Sequence, residues 1–269
     1  NLDAMQLCLE RGADVNWANE EGATILYAAC ENGHVDAARL LLEHGAEVNR
    51  PKESAVSGSD SDSDSDSGVT PLIIACKKGQ VEMARLLLDN GTEVDRADED
   101  GATPLWTACR EGHVDAARLL LEKGAEVNRA TKDGWTPLFC ACQQGRVDAA
   151  RLLLDRGAEV DRARENGQTP LSTACYNGHV DAARLLLENG AEVDRAMKNG
   201  ATPLYAACLG GDVNVTRLLL DKGAEVDRAD KNGLTPLDIA KQNYKSSIVA
   251  LLEEHMDSKF PLHTAARTG

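Results

Sequence analysis

Residues 103–130 read TPLWTACREGHVDAARLLLEKGAEVNRA, and this stretch decides the fold. Thr103 carries a hydroxyl suited to capping a helix, Pro104 suits the first helical position, and Leu105 opens a buried stripe. Gly112 suits the left-handed residue that closes this short first helix. Val114 to Leu121 reads as a second helix, with Ala116, Ala117, Leu119, Leu120 and Leu121 supplying its apolar contacts, and Gly124 ends it. Downstream of each such pair stands a tight-turn dipeptide: Asp133-Gly134, Asn166-Gly167, Asn199-Gly200 and Asn232-Gly233. The unit is finger, helix, turn, helix.

The same unit recurs. Thr-Pro-Leu stands at Thr70, Thr103, Thr136, Thr169, Thr202 and Thr235, always 33 residues apart. An earlier copy, Thr24-Ile25-Leu26, lies 46 residues before Thr70, one period plus a 13-residue insertion. A unit of this kind cannot bury its own apolar face, so copies must stack. The period of 33 and the Thr-Pro-Leu signature resemble the ankyrin repeat. The resemblance covers nearly the whole chain and implies an all-α, helix-turn-helix solenoid with short β-hairpin fingers. Units are expected to begin near 19, 65, 98, 131, 164, 197 and 230, in a single elongated array. Partial units at 1–18 and 257–269 read as the cut ends of a longer array. One departure is plain: the usual His after Thr-Pro-Leu is replaced by Tyr27, Ile73, Trp106, Phe139, Ser172, Tyr205 and Asp238. Packing is expected to take over from its hydrogen bonds.

Composition narrows the function. The 269 residues hold 29 Lys+Arg against 44 Asp+Glu, a formal charge of −15, which disfavours a nucleic-acid partner because neutralising phosphates needs a basic stripe. No run approaches the roughly 18 apolar residues of a membrane span. The start shows no basic segment leading into an apolar run, so the expected location is intracellular and cytoplasmic. Asn90-Gly91-Thr92 and Asn214-Val215-Thr216 match the glycosylation pattern, by chance on this reading.

Residues with chemistry in them fall into columns rather than clusters. Cys30, Cys76, Cys109, Cys142, Cys175 and Cys208 each sit six residues after the Thr of their units. Equivalent positions in stacked units lie about one repeat apart, beyond the roughly 4.4–6.8 Å of a disulfide, and do not converge on a metal. They read as small buried hydrophobes. His34, His113 and His179 recur at the start of the second helix and read as structural. Asp115 and Arg118, three apart on that helix, read as a surface pair. Arg50, Arg96, Arg129, Arg162, Arg195 and Arg228, near Glu126 and its copies, read as a structural charge ladder. No phosphate loop, zinc-binding helix or nucleophile elbow is present. No catalytic residue, cofactor or metal is expected.

Columns that vary between copies are free for a partner. The position before Thr reads Ala23, Val69, Ala102, Trp135, Gln168, Ala201, Leu234. In the six earlier copies the position seven after it reads Glu31, Lys77, Arg110, Gln143, Tyr176, Leu209. In ankyrin relatives these columns line the concave face of fingers and first helices, where partners bind. The candidate partner-binding residues are therefore Trp135, Tyr176, Arg110, Glu99, Asp100, Lys132, Gln143, Gln168, Lys198 and Leu209. For Trp135 and Tyr176 two readings stand side by side: interface anchors, or packing against a neighbouring unit. Finger tips run from acidic (Glu20, Glu21, Asp66, Glu99, Asp100) to basic (Lys198, Lys231), which would orient a partner of complementary polarity.

The expected function is a non-enzymatic, monomeric protein-binding scaffold. The alternative is a regulatory or targeting region of a larger multidomain enzyme, a kinase or ubiquitin-ligase component, with its catalytic domain outside this chain. The insertion, 54–68, reads SAVSGSDSDSDSDSG and is expected to be disordered. Ser57, Ser59, Ser61 and Ser63 each precede an acidic residue by three positions, the preference of acid-directed kinases, so the segment is either a phosphorylation switch or an inert spacer.

Overall fold

The computed structural model describes residues 2–53 and 67–259. Among these, fifteen helices follow one another and regular strands are absent. The chain divides into two compact units, Asn1–Lys132 and Asp133–Gly269. The first holds α1 (Leu2–Glu10), α2 (Ile25–Asn32), α3 (Val35–Glu43), α4 (Pro71–Lys77), α5 (Val81–Asp89), α6 (Pro104–Glu111) and α7 (Val114–Glu122). The second holds α8 (Pro137–Gln143), α9 (Val147–Asp155), α10 (Pro170–Tyr176), α11 (Val180–Glu188), α12 (Pro203–Gly210), α13 (Val213–Asp221), α14 (Pro236–Gln242) and α15 (Ser246–Lys259).

Each first helix starts where the sequence says it should. The hydroxyls of Thr24, Thr70, Thr103, Thr136, Thr169, Thr202 and Thr235 accept the backbone N–H three residues on, at 3.1 to 3.3 Å. Such a cap contributes about 1 kcal/mol. Gly112 closes α6 at φ 86°, a left-handed conformation that costs a side chain about 1–2 kcal/mol. Each second helix buries the same face: Ala116, Ala117 and Leu120 are fully enclosed, and so are Ala149, Ala150 and Leu153. Full burial of one such Leu stabilises by about 1.5–3 kcal/mol. Leu121 is half-exposed instead of buried, because it falls off the stripe. Within a unit, first helix packs on first helix (α2 on α4 on α6; α8 on α10 on α12 on α14) and each second helix backs its own first.

The fingers differ from the expectation. They are turns, not β-hairpins: Asp98 N–H donates to Ala102 O at 3.1 Å and Arg164 N–H to Gln168 O at 2.9 Å, with no ladder beyond that pair. Among the described residues a single isolated bridge, Ala18 with Thr24, is as far as strand pairing goes. A finger two residues a side is too short for repeated pairing, and neighbouring fingers meet edge to edge instead. Lys132 N–H donates to Asp100 O, Lys198 N–H to Asn166 O and Lys231 N–H to Asn199 O, at 3.0, 2.9 and 2.8 Å.

The insertion leaves its finger closed at the stem. Lys52 N–H donates to Val69 O and Gly68 N–H to Lys52 O, at 2.9 and 3.0 Å, and Ser67 Oγ donates to Glu99 at 2.7 Å. Ser67 and Gly68, expected to be disordered, are thus ordered parts of the finger, held by those bonds. Residues 54–66, with Ser57, Ser59, Ser61, Ser63 and Asp66, lie outside the described residues. At the other end, α15 runs for 14 residues, because Met256 stands where the other second helices have a closing glycine. Asp257, Ser258 and Lys259, assigned to a last partial unit, are its final turn; the rest of that unit lies outside the described residues. Tyr244 replaces the other glycine and is held at φ 56° with its ring 91% exposed.

Candidate protein-binding face

The histidine-replacement column fills with packing at most positions. Tyr27, Ile73, Phe139 and Tyr205 are buried there. At Ser172 and Asp238 hydrogen bonds to the capping threonine form, against expectation. Ser172 Oγ accepts from Thr169 N–H at 2.9 Å, and Asp238 Oδ2 accepts from Thr235 N–H at 2.9 Å and Thr235 Oγ1–H at 2.6 Å. Both close capping boxes, since a short polar residue at the third helical position reaches back to the cap. The Thr235 donors hold the Asp238 carboxyl below its usual range.

The start-of-helix column ties adjacent repeats together. His113 Nε2 donates to Lys77 O at 3.2 Å, His179 Nε2 to Gln143 O at 2.9 Å, and Gln80 Nε2 to Glu31 O at 3.3 Å. His113 and His179 do structural work, as expected, whereas His34 is exposed. A second set of ties was not foreseen. At the finger bases Asp95 accepts Glu126 N–H at 3.1 Å, Asp161 accepts Glu192 N–H at 2.9 Å and Asp194 accepts Glu225 N–H at 3.1 Å. Asn16 and Asn49 do the same for Glu47 and Glu93. The signal was visible: an Asp or Asn recurs in every unit directly before the arginine column. Burial pushes the Asp95 and Asp161 carboxyls up.

The charge ladder forms as short local pairs: Arg96–Glu93, Arg129–Glu126, Arg162–Glu159 and Arg195–Glu192, at 3.4, 3.8, 3.3 and 3.2 Å. Arg50 and Arg228 instead donate to the carbonyls of Asn16 and Asp194. The expected pairing of Asp115 with Arg118, and of its copies, is not among the ion pairs of the described residues; an exposed pair gains too little to fix a long Arg side chain.

None of the eight cysteines is in a disulfide, and only Cys8 is exposed. Burial pushes Cys30, Cys76 and Cys208 to about 12 and raises Cys142 and Cys175 as well. Among the described residues no three His, Cys, Asp or Glu side chains could share a metal ion. Both glycosylation-pattern threonines, Thr92 and Thr216, are buried.

The column before Thr does not form an open face. Val69, Ala102 and Ala201 are buried, and Trp135, Gln168 and Leu234 are half-buried. Trp135 meets Phe139 edge-on, with centroids 5.0 Å apart, and the Arg164 guanidinium lies 4.3 Å above the Trp135 ring. Arg164 also donates to Asp133 O and to Gln168 Oε1, at 3.2 and 3.4 Å, so Gln168 is drawn into the same cluster. The column seven after Thr is the open one. Tyr176 is 50% exposed at the end of α10, Leu209 and Gln143 are half-exposed, and Arg110 is exposed with its guanidinium 5.6 Å from the Trp106 ring. Glu99, Asp100, Lys132 and Lys198 point into solvent from the finger tips. One exposed aromatic, Trp17 at 58%, stands in the arginine column, where the repeat pattern gives no sign of a contact residue.

Stacked helix pairs with exposed finger tips define a helical repeat protein. The family profile of ankyrin repeats (3 copies) matches residues 1–52, 52–131, 128–197 and 194–261. The crystal structure of the human ASB11 ankyrin repeat domain is similar, with a TM-score of 0.72 and 31% identity over 84% of this chain and 97% of that one. No curated protein matches. The chain belongs to the ankyrin-repeat family. Ankyrin repeats are protein-interaction modules and typically non-catalytic. Among the described residues no helix is long and apolar enough to cross a membrane.

Proposed function

We propose that this chain is a monomeric, intracellular scaffold that binds another protein through its finger tips and the exposed ends of its first helices. The observation that carries the reading is Tyr176: an aromatic ring half in solvent at the end of α10, where its counterparts in the other copies are mostly polar. Leu209, one repeat on, extends the apolar patch, and Lys198 and Lys231 stand unpaired on neighbouring finger tips of the same unit. In the first unit Glu99 and Asp100 face solvent instead, so the two units favour partner segments of opposite charge. Arg110, Lys132 and Gln143 are peripheral contacts on this reading, while Trp135 and Gln168 shape the second unit's fingers from behind. Eight cysteines outside any disulfide support an intracellular setting.

Affinity capture with wild type, Tyr176→Ala and Lys198→Glu baits tests the proposal. The wild type should retain a partner that both variants lose. A partner retained equally by all three places the interface elsewhere.

A further inference from the structure

The chain contains seven Asn–Gly dipeptides, at Asn32, Asn90, Asn166, Asn177, Asn189, Asn199 and Asn232. Asn–Gly is chemically labile because glycine has no β-carbon to hinder ring closure. The glycine nitrogen attacks the asparagine Cγ, the Cγ–Nδ2 bond breaks, and ammonia leaves carrying the glycine N–H proton. Water then opens the cyclic imide at one carbonyl or the other, giving aspartate or isoaspartate. Closure requires rotation of the Asn–Gly peptide toward the side chain. Bonds that hold either group slow it.

The fold sorts these identical dipeptides. At four helix ends the amide is anchored: Asn32, Asn90, Asn177 and Asn189 each donate Nδ2–H to the carbonyl four residues back, at 2.8 to 2.9 Å. Two finger tips are anchored twice. Asn166 Oδ1 accepts from Gln168 N–H at 2.9 Å and its main-chain oxygen accepts from Lys198 N–H. Asn199 Oδ1 accepts from Ala201 N–H at 3.1 Å and its main-chain oxygen from Lys231 N–H.

Asn232 differs. In its finger Asp230 does the tying: Oδ1 accepts from Asn232 N–H at 2.9 Å and from Leu234 N–H at 3.0 Å. Asn232 keeps one side-chain contact, Nδ2–H to Asp230 Oδ2 at 3.2 Å. Among the described residues neither its Oδ1 nor its main-chain oxygen accepts a hydrogen bond, and the residue is exposed.

We propose that Asn232–Gly233 is a site of spontaneous deamidation in the folded protein, converting the Lys231–Asn232 tip from basic to neutral while its sister sites stay intact. The chain already carries a template for the aspartate product. Asp98–Ala102 forms the same turn with an acid at the tip: Asp98 Oδ1 accepts from Asp100 N–H at 3.0 Å and Ala102 N–H at 2.8 Å. The fold therefore accommodates Asp at this place, and the change registers as finger charge rather than as unfolding.

The test incubates the full chain in mildly alkaline buffer, folded or in denaturant, and follows every Asn–Gly by peptide mapping that separates Asn, Asp and isoAsp. In the folded chain Asn232 should convert several-fold faster than the other six; in denaturant the three finger sites should converge. Asn166 or Asn199 keeping pace with Asn232 in the folded chain would overturn the proposal, as would an Asn232 lead of the same size in denaturant. Asn232→Asp should melt at the wild-type temperature; a clear drop would refute the claim that the product is accommodated.

Discussion

The imidazole of His113 faces Gly79, with Nδ1, Cε1 and Cγ at 2.5, 2.7 and 2.8 Å from where a β-carbon would stand. One repeat thus closes its first helix with a glycine, and the next lays a ring on that glycine and bonds to Lys77 O. The glycine answers two demands: a φ of +68° and the space for the ring. Gly79→Ala should therefore cost about 2–4 kcal/mol, as backbone strain plus overpacking. The pair Gly79→Ala with His113→Ala should cost less than the sum of the singles, because the clash vanishes while the strain remains. Urea unfolding of the four proteins measures the coupling; strict additivity would show that the ring does not set the glycine.

Trp135→Ala should destabilise by about 2 kcal/mol, since it removes an edge-on aromatic contact and a guanidinium stacking platform. Tyr176→Ala, which truncates a half-exposed ring, should stay within about 0.5 kcal/mol. Melting curves of the two variants make the comparison directly. Equal losses would mean that Tyr176 is packed, and it would cease to be a binding anchor.

Two aspartates should respond to acid with opposite signs. Asp238, whose pKa Thr235 lowers, contributes stability that is present above the unfolded carboxylate value of about 3.9 and lost as pH falls through its folded value. Asp238→Ala should thus melt below wild type at neutral pH, with the gap closing by about pH 2–3. Asp161, whose pKa burial raises, carries a charge that costs stability above its folded value, and the cost disappears as pH falls. Asp161→Asn should melt above wild type at neutral pH, and the advantage should shrink in acid. Calorimetry across that range reads both.

Thiol chemistry should be confined to one residue. The seven buried cysteines are out of reach, and burial raises the thiol pKa of Cys30, Cys76, Cys142, Cys175 and Cys208, while Cys8 is exposed on α1. Iodoacetamide at mildly alkaline pH should add one label to the native chain and eight to the denatured one. Label on Cys109 or Cys142 in the native chain would contradict the packing described for the first helices.

The first helices were legible because most are marked locally: a capping Thr, a Pro beside it, and a glycine at the exit. The two capping boxes were legible too, since Ser172 and Asp238 stand three residues after a capping Thr, but the packing that fills this column elsewhere masks the pattern. The Trp135 cluster could not be read from periodicity. Its guanidinium comes from Arg164, in a column that elsewhere holds Asp98, Thr131, Met197 and Asp230, so no repeat rule predicts it. The fingers misled for a different reason. A turn dipeptide identifies a reversal of the chain, but strand pairing needs flanking length that these fingers lack.

The aspartate ties at the finger bases all run one way: Asp161 serves Glu192, and Asp194 serves Glu225, never the reverse. The histidine ties run in that sense as well, with the later repeat donating to the earlier one. Each repeat therefore offers its predecessor a donor and receives an acceptor from it. Losing a predecessor orphans two donors, whereas losing a successor merely uncovers oxygens that water can serve. Chain polarity is thus written into the joints, and the stack has a grain: a repeat inserted or exchanged within a unit must match the acceptors ahead of it more closely than the donors behind.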